Sequence, residues 1–568
     1  MVATGRSRPP PPSGVEACGC PSFATYVLPS QQVRSVIRQF LAAAGLAATT
    51  ASTLLAQRPV PATQPTLVVF ITIDQMRADY FARFRPQLNG GLRRLAEGGA
   101  FFKNGFQDHA ITETAPGHAS TMSGRFPVHT GITANALGVG TATAPLLGGA
   151  MELGASPFRF RGTTLTDWMR AANPSMRFLS VSRKDRGAIL PIGRTKGDVY
   201  WWSGSAGIFT TSTYYADSLP GWVQQFNSQK GYATYAGKSW DLLLPANKYV
   251  EQDTVWEESG GVDFTFPHPF PATPADVAKG FGNYPMMDSL ILAFALRGLE
   301  EQQLGADGKR TDLLAVSLST TDAIGHKYGP DSRELHDHIL RVDRYLGTFL
   351  DSLFKMRNRK RILIALTGDH GVSPYPEVHS GRYANKDARR VNLEPQVTAL
   401  KTSLTAAGVN DRAWSFEEGV FFVNNAAAFD SAKVNADSVA RAFGVEVRKI
   451  AGVMRADLFA DFAKANLAKD KIARRWLHMF NPGGAARLAV TLTPFSYWQS
   501  VTYATHGMPH DADAQVPVLF WGTGVRPGAY AAEVRTVDMA PTLAAILGIA
   551  PSEPLDGVVL KQAVRATK

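Results

Sequence analysis

The sequence predicts an α/β fold in which helices cover both faces of a mostly parallel central sheet. Three observations support this prediction. Short, nearly continuous apolar runs alternate along the chain with segments of helical periodicity. The composition is that of a large globular protein, with 568 residues of which 45% are hydrophobic and 19% charged. Charged or metal-ligating residues directly follow four of the apolar runs, as expected at the carboxyl edge of such a sheet.

The first apolar run, residues 66–73, is typical of a parallel strand that is buried on both faces. Similar runs predict strands of the same kind at residues 178–181, 313–318, 361–366 and 516–521. Apolar residues at helical spacing predict the helices between them, at residues 92–97, 165–171, 286–300, 334–354 and 539–547. The alternation is therefore strand, helix, strand over most of the chain.

Residues 1–56 have the features of a leader that contains a signal peptide. Arg34 and Arg38 precede a stretch rich in Ala, Leu and Thr, and Ala56 is a plausible cleavage point. This predicts a periplasmic or secreted protein whose catalytic domain spans residues 57–568. A soluble Ala-rich helix is the alternative. Both cysteines, Cys18 and Cys20, lie in the leader, so the exported part has no thiolate with which to bind a metal.

The net charge of the chain, and the absence of motifs for nucleic-acid binding or membrane spanning, limit the kind of partner that we expect. A net charge of +11 favours anionic small-molecule partners. We find no nucleic-acid-binding module and no long Lys/Arg run. After the leader no run of apolar residues is long enough for a transmembrane helix, so none is expected in the mature chain. The sequence leaves the oligomeric state open.

Two segments interrupt the alternation of strands and helices. Residues from about 192 to 284 are rich in Trp, Tyr, Gly and Pro, and residues from about 384 to 503 contain strands and helices of their own. We interpret both as insertions that cover the functional site. The alternative is that they are ordinary surface elaborations of the sheet.

Carboxylates and imidazoles cluster at the predicted strand ends in a way that favours two bound divalent metals. With cysteine excluded, aspartate and histidine are suitable zinc ligands. Asp322 and His326 are four residues apart, which places them on one face of a helix or in one converging loop. Each fragment alone is a weak signal. The candidate ligands are Asp74, Asp322, His326, Asp369, His370 and His506.

Thr114 is the candidate nucleophile and a further candidate metal ligand, because a directly bound cation favours the alkoxide of a hydroxyl that is otherwise a poor nucleophile. The residues after it predict a helix start with Pro116 in the first turn, and the amino end of a helix suits an anion. Thr114 as a simple N-cap is the alternative, and Thr112 is a nearby competitor for either role. We expect His118 to be a packed partner rather than a metal ligand.

Four motifs together resemble the alkaline phosphatase superfamily. They are Asp-Gln-Met-Arg (74–77), Thr-Ala-Pro-Gly-His (114–118), Thr-Gly-Asp-His-Gly (367–371) and Thr-His-Gly (505–507). The resemblance runs from about residue 67 to 560. It implies two Zn²⁺ ions with Thr114 facing both. One ion would be held by Asp322, His326 and His506, and the other by Asp74, Asp369 and His370.

The predicted substrate pocket contains Lys184, Arg186 and Asn135. In an extended segment residues two apart point the same way, so Lys184 and Arg186 would together bind the outer oxygens of a phosphate monoester dianion. A solvated charge pair is the alternative. Lys-x-Arg combined with this asparagine is similar to bacterial phosphate-irrepressible (type I phosphodiesterase-like) alkaline phosphatases.

The resemblance implies an exported two-zinc phosphomonoesterase that forms a phosphothreonine intermediate. One alternative is a nucleotide pyrophosphatase/phosphodiesterase of the same superfamily, which shares the threonine and the ligands. The other is a non-catalytic periplasmic protein that binds a phosphoester or a metal. An activated alcohol would serve no purpose in such a binding protein, so the enzyme is the favoured hypothesis.

Overall fold

The computed structural model describes residues 64–378, 386–462 and 464–565. These residues belong to one compact unit. The predicted leader, residues 1–56, lies outside the described residues, so the signal peptide stays a prediction. None of the helices in the described ranges has the length and apolar composition that a membrane span requires.

Strands and helices alternate through the described ranges. The strands are β1 (Leu67–Ile73), β2 (Ala100–Phe106), β3 (Phe178–Ser182), β4 (Asp198–Ser203), β5 (Ile208–Thr210), β6 (Ser239–Trp240), β7 (His268–Pro269), β8 (Asp312–Leu318), β9 (Ile362–Thr367), β10 (Arg390–Val391), β11 (Trp414–Glu417), β12 (Val420–Val423), β13 (Val453–Leu458), β14 (Ala486–Leu492), β15 (Tyr497–Trp498), β16 (Gln515–Gly522) and β17 (Gly528–Arg535). The α-helices are Tyr80–Arg83, Gly91–Gly98, Thr114–Ser123, Pro127–Thr130, Leu165–Ala172, Asp185–Ile189, Gly221–Ser228, Pro274–Gly280, Met286–Glu301, Thr320–Tyr328, Arg333–Met356, Glu394–Ala406, Ala426–Ser431, Ala436–Val447, Phe459–Phe462, Lys471–Leu477, Asp511–Ala514 and Met539–Leu547.

Each strand and helix predicted from the alternating pattern is present, and its ends differ from the predicted ends by at most two residues. The main sheet has nine strands in the order β17, β2, β16, β9, β1, β8, β3, β4 and β5. The neighbours β9, β1, β8, β3 and β4 are all parallel. The predicted fold class, a mostly parallel sheet between layers of helices, is therefore confirmed.

The direction of β16 differs from the prediction. Its apolar sequence resembled the buried parallel strands, but β16 is antiparallel to both β9 and β2. Burial on both faces produces the same run of apolar residues in either direction. The direction of a strand depends instead on the path of the chain between strands, which here includes the long segment between β9 and β16.

Two hydrophobic cores lie on the two faces of the main sheet, and β1 contributes to both. Val69 and Ile71 belong to one core, and Val68 and Phe70 to the other, as the alternation of side chains along a strand requires. All four side chains are 1% exposed or less. Because β1 is buried on both faces in the middle of the sheet, its carboxyl end is a rigid platform for the residues that follow it.

A second, four-stranded antiparallel sheet has the order β11, β12, β14, β13 and a hydrophobic core of its own. It lies within residues 384–503, the segment predicted as the second insertion. The segment predicted as the first insertion, residues 192–284, supplies β4 and β5 to the edge of the main sheet. The boundaries of both insertions stay predictions.

Candidate active site

The carboxyl ends of three neighbouring parallel strands, β9, β1 and β8, meet at one edge of the sheet and are followed there by five of the six predicted ligands. Asp74 follows β1, and its N–H donates to the carbonyl of Leu318 at the end of β8 at 2.9 Å. Asp369 and His370 follow β9 after a single glycine. The Thr320–Tyr328 helix begins just after β8 and carries Asp322 and His326 one turn apart. Of the two alternatives for this pair, the helix is correct.

Asp322, His326 and His506 form the first triad. The Nε2 atoms of His326 and His506 are 3.2 Å apart. Asp322 Oδ1 lies 3.1 Å from His326 Nε2 and 3.6 Å from His506 Nε2. The Nδ1 of His326 contacts the carbonyl of Ala504, and that of His506 contacts the carbonyl of Thr112 at 2.6 Å. Carbonyls accept only, so each Nδ1 carries a proton, and in the neutral rings the Nε2 lone pairs face each other. Such convergence is stabilised by a cation between them.

Asp74, Asp369 and His370 form the second triad. His370 Nε2 lies 3.4 Å from Asp74 Oδ1 and 3.7 Å from Asp369 Oδ2, while its Nδ1 contacts the carbonyl of Gly371 at 2.9 Å. All three residues are completely buried. Within each triad the potential ligand atoms lie within 4.8 Å of one another. Two groups of oxygen and imidazole nitrogen donors are thus preformed, and the residues of each group could hold a metal ion.

Thr114 is the first residue of the helix Thr114–Ser123, and the N-cap position belongs to Glu113. Its hydroxyl Oγ1 lies 3.5 Å from His370 Nε2 and accepts a hydrogen bond from Lys184 Nζ at 3.2 Å. Thr112, the competitor, instead anchors the His506 loop through hydrogen bonds with Gly507 and Met508. The structure therefore places the hydroxyl of Thr114, and not that of Thr112, beside His370 and Lys184.

Lys184 and Arg186 do not lie in an extended segment, which corrects the prediction. The helix Asp185–Ile189 begins immediately after Lys184, because Ala188 and Ile189 pack under the sheet edge. Lys184 still faces the site, with Nζ 2.7 Å from Asp74 Oδ2 and 2.6 Å from Asp322 Oδ2. Its side chain is only 9% exposed, so a solvated pair is the wrong description for Lys184.

Arg186 and Asn135, the other two predicted substrate-binding residues, differ in their contacts. The side chain of Arg186 is 27% exposed and lies 3.6 Å from the carboxylate of Asp185. Asn135 accepts the N–H of Ala115 through Oδ1 at 2.9 Å, which leaves its Nδ2 to donate elsewhere. Because the Ala115 N–H already donates to Asn135, it is not available to bind an anion at the amino end of this helix.

A family model for type I phosphodiesterases and nucleotide pyrophosphatases matches residues 68–415, more than half of the chain. The chain belongs to this family. It is 32% identical to alkaline phosphatase PhoV of Synechococcus elongatus over 86% of this chain and 91% of that protein. The crystal structure of alkaline phosphatase PafA superposes with a TM-score of 0.80 at 27% identity, covering 88% of this chain and 99% of PafA. A PafA variant superposes with a TM-score of 0.79 at 26% identity, covering 88% and 99%. The predicted superfamily is confirmed.

Nearby cationic groups favour the ionised forms of Asp74 and Asp322 in this member of the type I phosphodiesterase family, although both carboxylates are buried. Burial and the charge of Asp322 favour the protonated form of Asp74, but Lys184 and His370 outweigh them and hold its pKa below the usual range. Burial also opposes ionisation of Asp322, yet Lys184 and His326 hold its pKa well below the usual range. An ionised carboxylate in each triad suits the site to divalent cations.

His370 and His506 are buried and stack on each other, and their pKa values shift in opposite directions. Their rings lie 3.6 Å apart with an interplanar angle of 21°. Burial lowers the pKa of His506 to about 3, and the charge of His370 adds to this effect. Burial acts in the same way on His370, but Asp369 and Asp74 raise its pKa to about 9. The negative potential is therefore greatest at the second triad.

Two residues outside the triads, His118 and Gln75, contact the carboxylate of Asp369. His118 behaves as predicted for a packed partner, with Nδ1 3.0 Å from Asp369 Oδ2 and Nε2 2.9 Å from the hydroxyl of Ser317. Gln75 was not predicted. Its backbone N–H donates to Asp369 Oδ1 at 3.0 Å, and its Nε2 donates to Asp322 Oδ1 at 3.1 Å. It therefore holds one carboxylate of each triad.

Gln75 has a left-handed backbone, with φ of 64°, which is uncommon for a residue other than glycine. Its carboxamide packs against Gly325, where a Cβ atom would lie 1.7 Å from Oε1. The only sequence signal was its place directly after Asp74. Its position after Asp74 could not predict its contacts with Asp322 and Asp369, which lie more than 200 residues away along the chain.

We expect Gln75→Met to lower zinc retention at the first triad and kcat/KM by roughly 10- to 100-fold, as is typical when a residue that orients a metal ligand is lost. Methionine keeps the length of the side chain and the backbone N–H to Asp369, so only the donor to Asp322 is removed. Zinc per chain after dialysis against a chelator, with kcat and KM for an aryl phosphate, measures the effect. Wild-type zinc retention and turnover would contradict this role.

Proposed function

We propose that the protein is a phosphomonoesterase that binds two zinc ions and transfers the phosphoryl group to Thr114. The observation that carries the proposal is the convergence of His370 and Lys184 on the buried hydroxyl of Thr114, with Lys184 also contacting one carboxylate of each triad. Lys184 Nζ donates to Thr114 Oγ1 at 3.2 Å, and His370 Nε2 lies 3.5 Å from the same oxygen. The names of PhoV and PafA as alkaline phosphatases support the same activity.

The proposed metal ligands are the residues of the two triads. When bound, the two ions would favour the alkoxide of Thr114 and stabilise negative charge on the departing oxygen. Zinc is the expected metal because the donors are carboxylate oxygen and imidazole nitrogen. The proposed ligands are Asp322, His326 and His506 for one ion and Asp74, Asp369 and His370 for the other.

In the proposed reaction the hydroxyl oxygen of Thr114 forms a bond to phosphorus as the bond from phosphorus to the ester oxygen breaks. The hydroxyl proton of Thr114 passes to solvent, and the oxygen of the departing alcohol takes up a proton from solvent. A water molecule then attacks the phosphothreonine, which releases phosphate and restores the hydroxyl of Thr114. Lys184, Arg186 and Asn135 are proposed to bind the outer phosphoryl oxygens, where charge accumulates in a loose transition state.

The solved PafA variant supports this set of four residues. In that variant one threonine, one asparagine, one lysine and one arginine are replaced together. These are the residue types of Thr114, Asn135, Lys184 and Arg186, in the same chain order. The spacing from threonine to asparagine and from lysine to arginine is also the same in both proteins.

A phosphodiesterase is the second candidate, because the family model carries that description. The buried ammonium of Lys184 favours the monoesterase. A monoester dianion has one more ionised oxygen than a diester, and Lys184 lies beside the nucleophile to neutralise it. The two activities differ in substrate charge, so one kinetic comparison distinguishes them.

The decisive experiment compares 4-nitrophenyl phosphate with its methyl-capped diester, with zinc supplied. We expect kcat/KM to be at least about 100-fold higher for the monoester, since a single well-placed charged donor contributes that much. Activity should be lost on chelation and return with Zn²⁺. Preference for the diester would favour the second candidate, and no hydrolysis of either ester would reject both.

We also propose that the protein is exported to the periplasm or beyond. The proposal rests on the signal-like stretch before Ala56. Amino-terminal sequencing of the protein recovered outside the cytoplasm checks it, and a mature form that retains Cys18 would contradict the cleavage.

A further inference from the structure

A cavity of about 710 Å³ opens beside the first triad, and His326 and His506 are part of its lining. The opposite wall comes from the small sheet, through the hairpin that joins β11 and β12. Glu113, which precedes the proposed nucleophile Thr114, and Asn135, a proposed phosphoryl-binding residue, also line the cavity, so a substrate held at Thr114 would extend into it. We therefore assign the cavity to the alcohol portion of the substrate, an assignment that rests on the proposed function.

The tip of the hairpin places an acidic residue in the cavity. Glu418 and Gly419 form the turn, with φ of 49° and 76°, and the flanking residues Glu417 and Val420 pair across it. Two successive left-handed residues make a turn that favours Asn, Asp or Gly, so a glutamate here is unusual. The glycine is needed because the ring of Trp498 packs against it, 2.9 Å from where a Cβ atom would lie.

Aromatic side chains form much of the wall around Glu418. The rings of Phe416 and Trp498 meet edge to face, with centroids 6.4 Å apart at 82°. Tyr503 meets the ring of His326 in the same way, at 5.0 Å and 88°. All three aromatic residues line the cavity. Aromatic faces attract organic cations, and the attraction grows when water is excluded.

Glu113 is another of the carboxylates in the lining of the same cavity, and its side chain accepts the N–H of Asn135 at 2.6 Å. In residues 64–378, 386–462 and 464–565, neither Glu113 nor Glu418 forms an ion pair with a lysine, arginine or histidine. Although Glu418 as a whole is exposed, the partial burial of its carboxyl group, and after it the charge of Glu113, raises the pKa of Glu418 to about 7. The two carboxylates therefore repel each other across the cavity, and a cation between them would remove that repulsion.

We propose that the preferred substrates are phosphate monoesters of alcohols that carry an ammonium or quaternary ammonium group, which Glu418 and the aromatic wall bind. The positive charge would face Glu418 and Glu113, while the alkyl groups on nitrogen contact Phe416 and Trp498. The phosphoryl group would remain at Thr114 and Lys184. The same cavity would disfavour alcohols that carry a second anionic group, because these would meet two carboxylates.

The test uses phosphocholine and its uncharged isostere 3,3-dimethylbutyl phosphate, at about pH 9, where Glu418 is ionised. The ratio of their kcat/KM values is measured for the wild type, Glu418→Gln and Glu417→Gln. Glu417 is the matched control, because it is the preceding residue, carries the same charge and is exposed outside the cavity. Comparing ratios between variants cancels the different reactivity of the two alcohols.

The measured quantity is kcat/KM for phosphocholine divided by kcat/KM for 3,3-dimethylbutyl phosphate. We expect Glu418→Gln to lower this ratio about tenfold and Glu417→Gln to change it less than twofold. Choline should inhibit the wild type more strongly than 3,3-dimethylbutanol does, and this difference should shrink in Glu418→Gln. Equal ratios in the two variants would overturn the inference, provided that both esters are hydrolysed. No hydrolysis of either ester by the wild type would instead reject the proposed function.

Discussion

Thr114→Ala is expected to lower kcat/KM for phosphate monoesters by roughly 10⁴-fold or more, which corresponds to about 5.5 kcal/mol of transition-state stabilisation. Alanine removes the oxygen that is proposed to accept the phosphoryl group. Nothing else in the described site offers a hydroxyl at the same position, since Thr112 is engaged with Gly507 and Met508. Steady-state hydrolysis of 4-nitrophenyl phosphate with zinc supplied measures the loss.

Thr114→Ser is the matched control because it keeps a hydroxyl at the start of the helix. We expect it to retain a substantial part of wild-type activity. The alanine variant should still bind two zinc ions per chain, since all six proposed ligands are present. Near-normal turnover by Thr114→Ala would reject the nucleophile, and loss of zinc from that variant would show that the substitution damaged the site instead.

Lys184→Met is expected to lower kcat/KM for monoesters by roughly 10³-fold and for methyl-capped diesters by far less. The ammonium lies 3.2 Å from the oxygen of Thr114, where it would neutralise the additional charge of a monoester. Methionine retains most of the length of the side chain. Hydrolysis of both ester classes by the same preparation gives the ratio that decides the outcome.

The matched control for Lys184 is Lys103→Met, which removes the same charge from an exposed position on β2. It should leave both activities unchanged. Zinc content should not fall in Lys184→Met, because the ammonium competes with cations for Asp74 and Asp322. Equal losses for monoesters and diesters would show that Lys184 positions the carboxylates and does not recognise the charge of the substrate.

The strands and the ligands after them could be predicted because their signals are local. A run such as residues 67–73 is apolar at nearly every position, and Asp74 follows it directly. The direction of β16 could not be predicted in this way, because burial on both faces gives the same pattern in parallel and antiparallel strands. The local structure at Lys184 was missed for a related reason. Asp185–Ile189 is a helix of five residues, too short to show helical periodicity.

Contacts between distant segments account for the residues that the sequence did not reveal. Gln75 holds Asp322 and Asp369, which lie more than 200 residues away along the chain. Glu418 faces the cavity only because a separate small sheet places its hairpin beside His326 and His506. In the sequence, nothing distinguishes Gln75 or Glu418 from a glutamine or glutamate on an ordinary protein surface.

The sequence by itself determined the chemistry that is available: which carboxylates, imidazoles and hydroxyl follow which strands, and that no thiolate is present after the leader. The division of the ligands into two triads came from resemblance alone until the fold placed them. Only the tertiary structure decided where the ammonium of Lys184 lies, how Gln75 joins the triads and what lines the cavity for the alcohol. Strand patterns depend on neighbouring residues, whereas these distances depend on strand order and on the packing of loops that are far apart in the chain.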